Sequence, residues 1–501
     1  MPQPRGCHRR RRSLRASAGR AAGVAALIAG VLIAGGPASA QTLTESFAYA
    51  YNNNPQLLAQ RALLRATDES VPQALSNWRP TVNFTGSAGF TRSGFEQPGT
   101  NTIGTFGLTG PCKLAGVTAP AGTACSTPTQ FSNFVGKSLD LRVTQPLYRG
   151  GRTEAQTRQA INTVQAARAQ TVGVETTVFQ AVALAYLDVV RDQTLVEVSR
   201  NNEAVLRKQL EATRDRFRVG EVTRTDVAQA ESALAQATAQ RINGEGQLEV
   251  SRANFTRAVG HQPGRLMMPR ERPALPATRE EALSLAGNDN PNVISAAFTE
   301  LAARDNVDFV RGQLLPQISI VGDLNRTFAP SFTQRGFRQD SASVTAQLTM
   351  PLYEGGAVYS QTRQAQQTVG QRRSQVDDAR RQAVQTATQN WETLQAARAA
   401  MASFGTAVRA AQIALDGTQQ EALVGSRTVL DVLIAQQQLF TTQSQLVTAQ
   451  HDAALAEFNL TAAIGRLIAP ELKLPVHLYD MGRHYKLVKD KWLGFSSGLK
   501  E

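Results

Sequence analysis

The chain has 501 residues, three cysteines and a formal net charge of +13. Seven arginines lie within residues 1–20, where there is no acidic residue, so without that segment the net charge falls to +6. This surplus is modest, and no Lys/Arg-rich patch interleaved with aromatic residues follows it. The composition therefore argues against nucleic-acid binding.

Residues 1–40 have the pattern of a secretory signal peptide. The arginine-rich start is followed by an apolar run from Ala21 to Ile33 and by Ala38-Ser39-Ala40, a typical cleavage sequence. Cleavage after Ala40 would leave 461 residues. After residue 40 no apolar run approaches the ~20 residues of a transmembrane helix. A membrane-spanning form of the chain is therefore expected to use strands.

The rest of the chain is an internal duplication. PLYRGG at Pro146–Gly151 and PLYEGG at Pro351–Gly356 lie 205 positions apart, and so do NFTRAVG at Asn254–Gly260 and NLTAAIG at Asn459–Gly465. Upstream of the PLY motifs the offset is 236, so the first copy has 31 extra residues. We predict a first structural repeat at 41–264, a second at 265–465 and a C-terminal tail at 466–501.

Each repeat is predicted to contain the same elements in the same order. A helix starts at Pro55 or Pro291, because proline suits the first helical turn. A β-hairpin and then a hairpin of two long helices follow. The predicted β-hairpins are 81–147 and 317–352, and the predicted helical hairpins are 152–259 and 357–464.

Period-two alternation predicts two β-strands in each hairpin. In Thr81–Arg92, for example, Val82, Phe84 and Phe90 share one face and small polar residues share the other. The length suits a tilted membrane strand of about 9–11 residues. The small, mostly uncharged polar face suits a lumen. The alternative is a soluble hairpin that packs on a core.

Four strands cannot close a membrane barrel, because an open sheet edge in lipid leaves backbone groups unpaired. Two chains would give eight strands, whose interior is filled by side chains. Three chains would give twelve strands and leave room for a pore. We therefore expect a homotrimer.

The extra residues of the first repeat form a predicted loop at 94–135, which contains Cys112 and Cys125. In an oxidising compartment two such cysteines are expected to form a local disulfide. The alternative is a pair of free thiols.

The segment Arg152–Arg218 has no proline and would be about 100 Å long as a continuous helix. Ala357–Ala422 repeats this pattern. In the returning helix of the second repeat, Val432 and Leu439 begin a heptad that predicts coiled-coil packing, whereas Arg241 interrupts its counterpart. A solitary coiled-coil stalk is the alternative, but it leaves the hairpins unexplained.

The PLY-x-GG motifs are predicted to form sharp strand-to-helix corners. The proline ends the strand, the aromatic residue suits a membrane interface, and the glycines supply unusual backbone angles. The corner residues are Pro146, Tyr148, Gly150 and Gly151 in the first repeat, and Pro351, Tyr353, Gly355 and Gly356 in the second.

Together these motifs resemble the TolC family of outer-membrane efflux and secretion channels, the outer membrane factors, over nearly the whole mature chain. The matching features are the Asn-Pro openings, the PLY-x-GG corners, VGEVTRTDV and VGSRTVLDV, and the Asn-x-Thr-x-Ala-x-Gly endings. The resemblance implies a mostly α protein whose transmembrane strands form a trimeric twelve-stranded barrel in the cell outer membrane. An α-helical periplasmic tunnel would extend the barrel toward a periplasmic adaptor (membrane fusion) protein and an inner-membrane pump of RND or ABC type.

The resemblance also implies roles for residues at the helix-hairpin tips. Val219-Gly220 and Val424-Gly425 match the ends that dock the adaptor; the alternative is a tight turn without a binding role. Arg427 and Asp226 match a pair that locks the closed tip, although Ala422 replaces a tyrosine of that network.

Asp431 matches an acidic residue of the periplasmic entrance, where three copies would form a ring that attracts cations. Ile434 stands where many relatives have a second acid, which weakens the expected ring. The alternative is that Asp431 is a helix N-terminal acid stabilised by the helix dipole.

The sequence thus predicts a passive conduit for efflux of small molecules or type I secretion of proteins, in contact with outer-membrane lipid. No GxxxxGK[ST], GxSxG or HExxH motif occurs, so we expect no enzymatic activity, cofactor or metal. The alternative from another class is a non-conducting trimeric tether across the periplasm. The resemblance also implies that the loop at 94–135 is extracellular. The basic and aromatic tail, which would be periplasmic, is expected either to pack around the tunnel's equator or to remain loose.

Overall fold

The computed structural model describes residues 41–95, 113–114, 117–118, 130–269, 271–328 and 336–495. The predicted signal peptide and the predicted Cys112–Cys125 bridge lie outside these residues. The described chain is mostly helical, with long helices and one four-stranded antiparallel sheet. This confirms the predicted combination of long helices and strands.

The helices and strands follow the duplicated order of the sequence. The helices are α1 (Leu43–Asn53), α2 (Pro55–Asp68), α3 (Ser70–Leu75), α4 (Arg152–Arg218), α5 (Arg224–Val259), α6 (Arg279–Asp289), α7 (Pro291–Arg311), α8 (Ala357–Leu423), α9 (Val429–Ala463) and α10 (Arg483–Val488). The strands are β1 (Thr81–Phe95), β2 (Lys113–Leu114), β3 (Val117–Thr118), β4 (Gln130–Arg149), β5 (Gln317–Phe328) and β6 (Arg338–Thr349). Short 3₁₀ turns at Ser76–Trp78 and Gly312–Leu314 precede β1 and β5.

The core lies where α1, α4, α5 and α9 meet. Aromatic side chains dominate it, because large rings bury much apolar area in few residues: Phe47, Phe179, Tyr186, Phe255 and Phe458. Contrary to the expectation that no segment after residue 40 is apolar enough, one segment of α4 has the length and composition of a membrane span. Since 56% of that segment is buried inside the fold, its apolar residues belong to the helical core.

In each repeat, an equivalent asparagine joins the beginning of the repeat to its end. Asn54 and Asn290 cap α2 and α7, each accepting a backbone amide at 2.9 Å. Each also donates from its side-chain amide, at 3.0 Å, to a carbonyl near the end of a returning helix, Ala258 or Ala463. This contact explains why the Asn-Pro openings and the Asn-x-Thr-x-Ala-x-Gly endings recur together.

The heptad of α9 packs as predicted against α8, where Leu415, Val432 and Leu439 form one buried cluster. In the first repeat, the Arg241 that interrupts the heptad of the equivalent helix α5 is not left without a charged partner. Its guanidinium donates to the buried carboxylate of Glu203 on α4, so an ion pair replaces an apolar contact there.

The strand order in the sheet is β1-β4-β5-β6, with every pair antiparallel. The β4–β5 pairing joins the two repeats. One face, which we call the outward face, carries Val82, Leu141, Leu324 and Val344 on successive strands. The other face is polar, and Arg142 lies 3.1 Å from Asp323 on it. β1 and β6 form the two edges, and each is paired on one side only among the described residues.

The described part of the tail, residues 466–495, packs on the first repeat. Leu467 and Leu474 enter the main core. Farther along, the imidazole of His484 lies 3.3 Å from the buried carboxylate of Asp68 on α2, and Arg79 stacks over the ring of Trp492. Of the two expectations for the tail, packing against the helices is therefore correct for these residues.

Candidate functional site

The two helix-hairpin tips have the same backbone. The exposed tip residues are Val219 and Gly220 in the first repeat and Val424 and Gly425 in the second. Both glycines have positive φ, +85° and +79°, which a side chain would strain. The next amide, from Glu221 or Ser426, then donates to a carbonyl of the last helical turn at 2.9 or 3.0 Å. Each tip thus presents an exposed valine on a tight turn.

Asp226 and Asp431 occupy equivalent positions in the first turns of α5 and α9. Each carboxylate accepts the backbone N–H of a threonine three residues earlier, Thr223 at 2.8 Å and Thr428 at 2.9 Å. Each threonine hydroxyl accepts an amide in return, which completes a capping box. The alternative role for Asp431, that of a helix N-terminal acid, is therefore realised in the structure.

The cap also affects the charge of Asp431. The hydrogen bond from the Thr428 backbone, the bond from its hydroxyl and the nearby Arg427 hold the pKa of Asp431 below its ordinary value. The carboxylate is therefore ionised at neutral pH, and the cap fixes its position. Ile434 lies exposed one turn farther along α9.

Arg427 has a different partner within the chain from the one expected. Its Nε donates to Glu421 Oε2 at 2.9 Å, across the tip and within the same hairpin. Both side chains are about half exposed, and Asp226 is engaged by Thr223. Sequence reasoning did not identify Glu421; its position six residues before Arg427, on the other side of a glycine turn, was the available signal.

The two strand-to-helix corners differ in their surroundings. Gly150 and Gly355 both have a φ of +63°. A Cβ on Gly150 would lie 2.3 Å from the Gly312 carbonyl oxygen, whereas a Cβ on Gly355 would meet nothing within 4 Å. The backbone of the first corner therefore touches the 3₁₀ turn that precedes β5. The second corner is open in the single chain, and Tyr353 there is exposed.

One detail of the corner prediction is wrong. Pro146 does not end its strand, because β4 continues to Arg149. The pairing with β5 shifts register between Pro146 and Tyr148, and such a bulge tolerates a residue that lacks an N–H. In the second repeat β6 does end before Pro351, at Thr349.

Comparison with known proteins decides the family. A family model described as Outer membrane efflux protein matches residues 49–261 and 282–466, one match in each repeat. The chain belongs to the outer membrane efflux protein family. The resemblance to TolC-type outer membrane factors is thereby confirmed, as is the location in the outer membrane.

Individual relatives agree with this assignment. The chain is 34% identical to the outer membrane efflux protein BepC of Brucella suis, over 94% of this chain and 95% of that protein. It is 27% identical to the outer membrane protein TolC of Vibrio cholerae, over 85% and 91% of the two chains. The crystal structure of the outer membrane protein VceC from Vibrio cholerae has the same fold, with a TM-score of 0.67 at 20% identity over 84% of this chain and 96% of that chain.

In an outer membrane efflux protein, the outward face of the sheet is the surface suited to contact with lipid. Its apolar side chains are exposed in the single chain, among them Val82, Phe84, Leu324 and Val344. Exposed apolar side chains on one face of a strand, with polar ones on the other, are typical of contact with hydrocarbon. We therefore assign the outward face to lipid and the polar face to the interior.

Proposed function

We propose that three copies of this outer membrane efflux protein form a passive conduit across the outer membrane and periplasm. The observation that carries the proposal is the pair of open edges on the four-stranded sheet, β1 and β6. In lipid those edges need partners, and pairing of β6 with β1 of the next copy supplies them. Three copies then make a twelve-stranded barrel, above the eight strands whose interior is filled.

The polar face of the sheet favours a conduit over a tether. Side chains such as Ser87, Ser138 and Thr345 point to that face, and Arg142 pairs with Asp323 on it. A polar lining is favourable when it faces water. A sealed, non-conducting stalk would gain more from an apolar interior.

The proposed partners follow from the two ends of the helices. The exposed Val219 and Val424 at the tips are the proposed contact surface for a periplasmic adaptor. The energy for transport would come from an inner-membrane pump of RND or ABC type, which would also select the cargo, either small molecules or secreted proteins. In this proposal the tips bind the adaptor, and the cargo passes through the lumen.

We test the proposed ring of three Asp431 carboxylates at the entrance with a substitution that removes the charge but preserves the helix cap. In planar bilayers, we expect small cation-selective currents from the purified trimer, and Asp431→Asn to lower the cation-to-anion permeability ratio about threefold or more, as expected for a charged constriction. Because asparagine can still accept the Thr428 amide, the helix start is retained. Asp378→Asn removes the same charge from an exposed position of α8 far from the tip and is the control, with unchanged selectivity.

The outcomes separate the parts of the proposal. Currents that are indifferent to Asp431 would retain the conduit and remove the ring. Absence of current from a verified trimer would instead favour the tether. Because the pKa of Asp431 is lowered, the selectivity should persist at every pH above the ordinary carboxylate range.

A second proposal concerns Arg427 as part of a lock between neighbouring hairpins, with Asp226 as its partner in the closed trimer. An exposed ion pair stabilises the closed state by about 0–1 kcal/mol. Loss of all three pairs together would therefore raise the open probability by up to roughly 100-fold. We expect Arg427→Gln and Asp226→Asn to increase channel opening equally, and the double variant to add nothing further.

Glu421→Gln distinguishes this lock from the contact observed within one tip. If Glu421→Gln reproduces the opening caused by Arg427→Gln while Asp226→Asn does not, Arg427 acts through its own hairpin. The comparison uses single-channel open probability, measured at one salt concentration for the unaltered protein and the four variants.

A further inference from the structure

At the end far from the helices, the outward face of the sheet becomes basic on β5 and β6, while Phe90 on β1 and Val135 on β4 are apolar one row beyond Lys137. In the strand register, Arg326 on β5 lies directly opposite Leu139 on β4 and Asp340 on β6. In the next row, Lys137 lies opposite Phe328, and Phe328 lies opposite Arg338. Since directly paired residues share a face, these charged side chains share the face of Leu324 and Val344.

The charges in these two rows do not cancel. Arg326 Nε lies 2.7 Å from Asp340 Oδ1, and Arg338 lies 3.0 Å from Asp340 Oδ2. One carboxylate is thus shared by two guanidinium groups, and Lys137 adds a third exposed positive charge. Each chain therefore carries a net surplus of two positive charges there. We call Lys137, Arg326 and Arg338 the basic row.

The basic row lies at the height of a membrane boundary. Ten residues separate Ile318, near the helical end of β5, from Phe328, which pairs with Arg338. At about 3.4 Å per residue and a tilt of about 35–45°, that distance corresponds to a height of roughly 24–28 Å. The apolar band of an outer-membrane barrel is about 25 Å tall.

The two boundaries of the band differ in chemistry. At the helical boundary the outward face carries uncharged side chains, Tyr148, Ile318 and Leu348, which pair along one row. Within the described part of the sheet, the surplus of positive charge thus belongs to the distal boundary. If the distal boundary contacted only water and uncharged headgroups, an excess of positive charge at that boundary alone would not be required.

We propose that the basic row binds the phosphate groups of a phosphorylated glycolipid in the outer leaflet. Guanidinium and ammonium groups at a membrane boundary recognise anionic headgroups, and arginine suits phosphate through its planar fork. The acyl chains of such a lipid would lie along Phe84 and Leu324, directly below the row. This site is separate from the proposed conduit and does not depend on the cargo.

The test is lipid binding by the purified full-length trimer, measured by native mass spectrometry with hexa-acylated, bis-phosphorylated lipid A. Lys137→Gln combined with Arg338→Gln should weaken binding about 10-fold or more, while the Arg326–Asp340 pair remains. The matched control is Lys208→Gln with Arg373→Gln, two exposed positions on α4 and α8. It removes the same charge away from the sheet and should bind lipid A like the original protein.

Two further probes define the ligand. Enzymatically dephosphorylated lipid A should bind weakly to every protein, and added salt should release bis-phosphorylated lipid A from the unaltered trimer, which tests the proposal even if the double variant fails to assemble. Equal binding by the double variant and the control would overturn the proposal. So would equal binding of phosphorylated and dephosphorylated lipid, or equally tight binding of phosphatidylglycerol.

Discussion

Arginine in place of Val344 is expected to prevent stable assembly of the protein in the outer membrane. Val344 is 80% exposed in the middle of β6 and lies opposite Gly322, so no neighbouring side chain covers it. On a lipid-facing strand, arginine near the bilayer midplane costs about 2–4 kcal/mol. Three copies in one barrel would experience this cost three times.

Thr345→Arg is the matched control, because the next residue of the same strand points to the polar face. We expect Val344→Arg to remove most heat-resistant trimer from the outer-membrane fraction, and Thr345→Arg to leave most of it. The measurement is the yield of heat-resistant trimer on semi-native gels, compared between the two variants. Equal loss in both variants would contradict the assignment of the outward face to lipid.

Alanine in place of Gly150 is expected to be far more damaging than alanine in place of Gly355. Both positions have the same positive φ, so both variants bear the same backbone strain of about 1–2 kcal/mol. Only at Gly150 would the new Cβ approach a backbone oxygen, that of Gly312, at 2.3 Å. Backbone cannot rotate away, so the first corner and the turn before β5 must separate.

The comparison uses thermal unfolding of the two purified variants beside the unaltered protein. We expect Gly355→Ala to lower the unfolding temperature slightly, and Gly150→Ala to lower it much more or to block trimer formation. If the two variants lose the same stability, the close approach of Gly150 and Gly312 contributes nothing beyond the shared φ. Gly312→Ala provides an independent check, since its Cβ would meet the Gly150 carbonyl at 2.5 Å.

Much of the candidate site was predictable because it is encoded by local pattern. The tip turns need glycine at positive φ, and a threonine followed three residues later by an acid forms a capping box, so Gly220, Gly425 and Asp431 are visible in the sequence. The partner of Arg427 was not. An exposed arginine near a turn has several carboxylates within reach of its long side chain, and only the folded tip selects Glu421.

The sequence by itself determined the duplication, the long proline-free helices and the alternation of the strands. These features repeat at short or fixed intervals, and periodicity of 2.0 or 3.6 residues directly reflects backbone geometry. The absence of proline between two glycine-containing breaks set the bounds of α4, which begins and ends at the predicted residues, Arg152 and Arg218.

The tertiary structure alone decided which distant residues meet. The packing of the tail on α2, the contact of Gly150 with Gly312 and the alignment of Lys137 with Arg338 all join segments more than 100 positions apart. Strand register determines the last of these, and a shift of one residue would move every side chain to the other face. No local pattern in the sequence specifies that register across four strands.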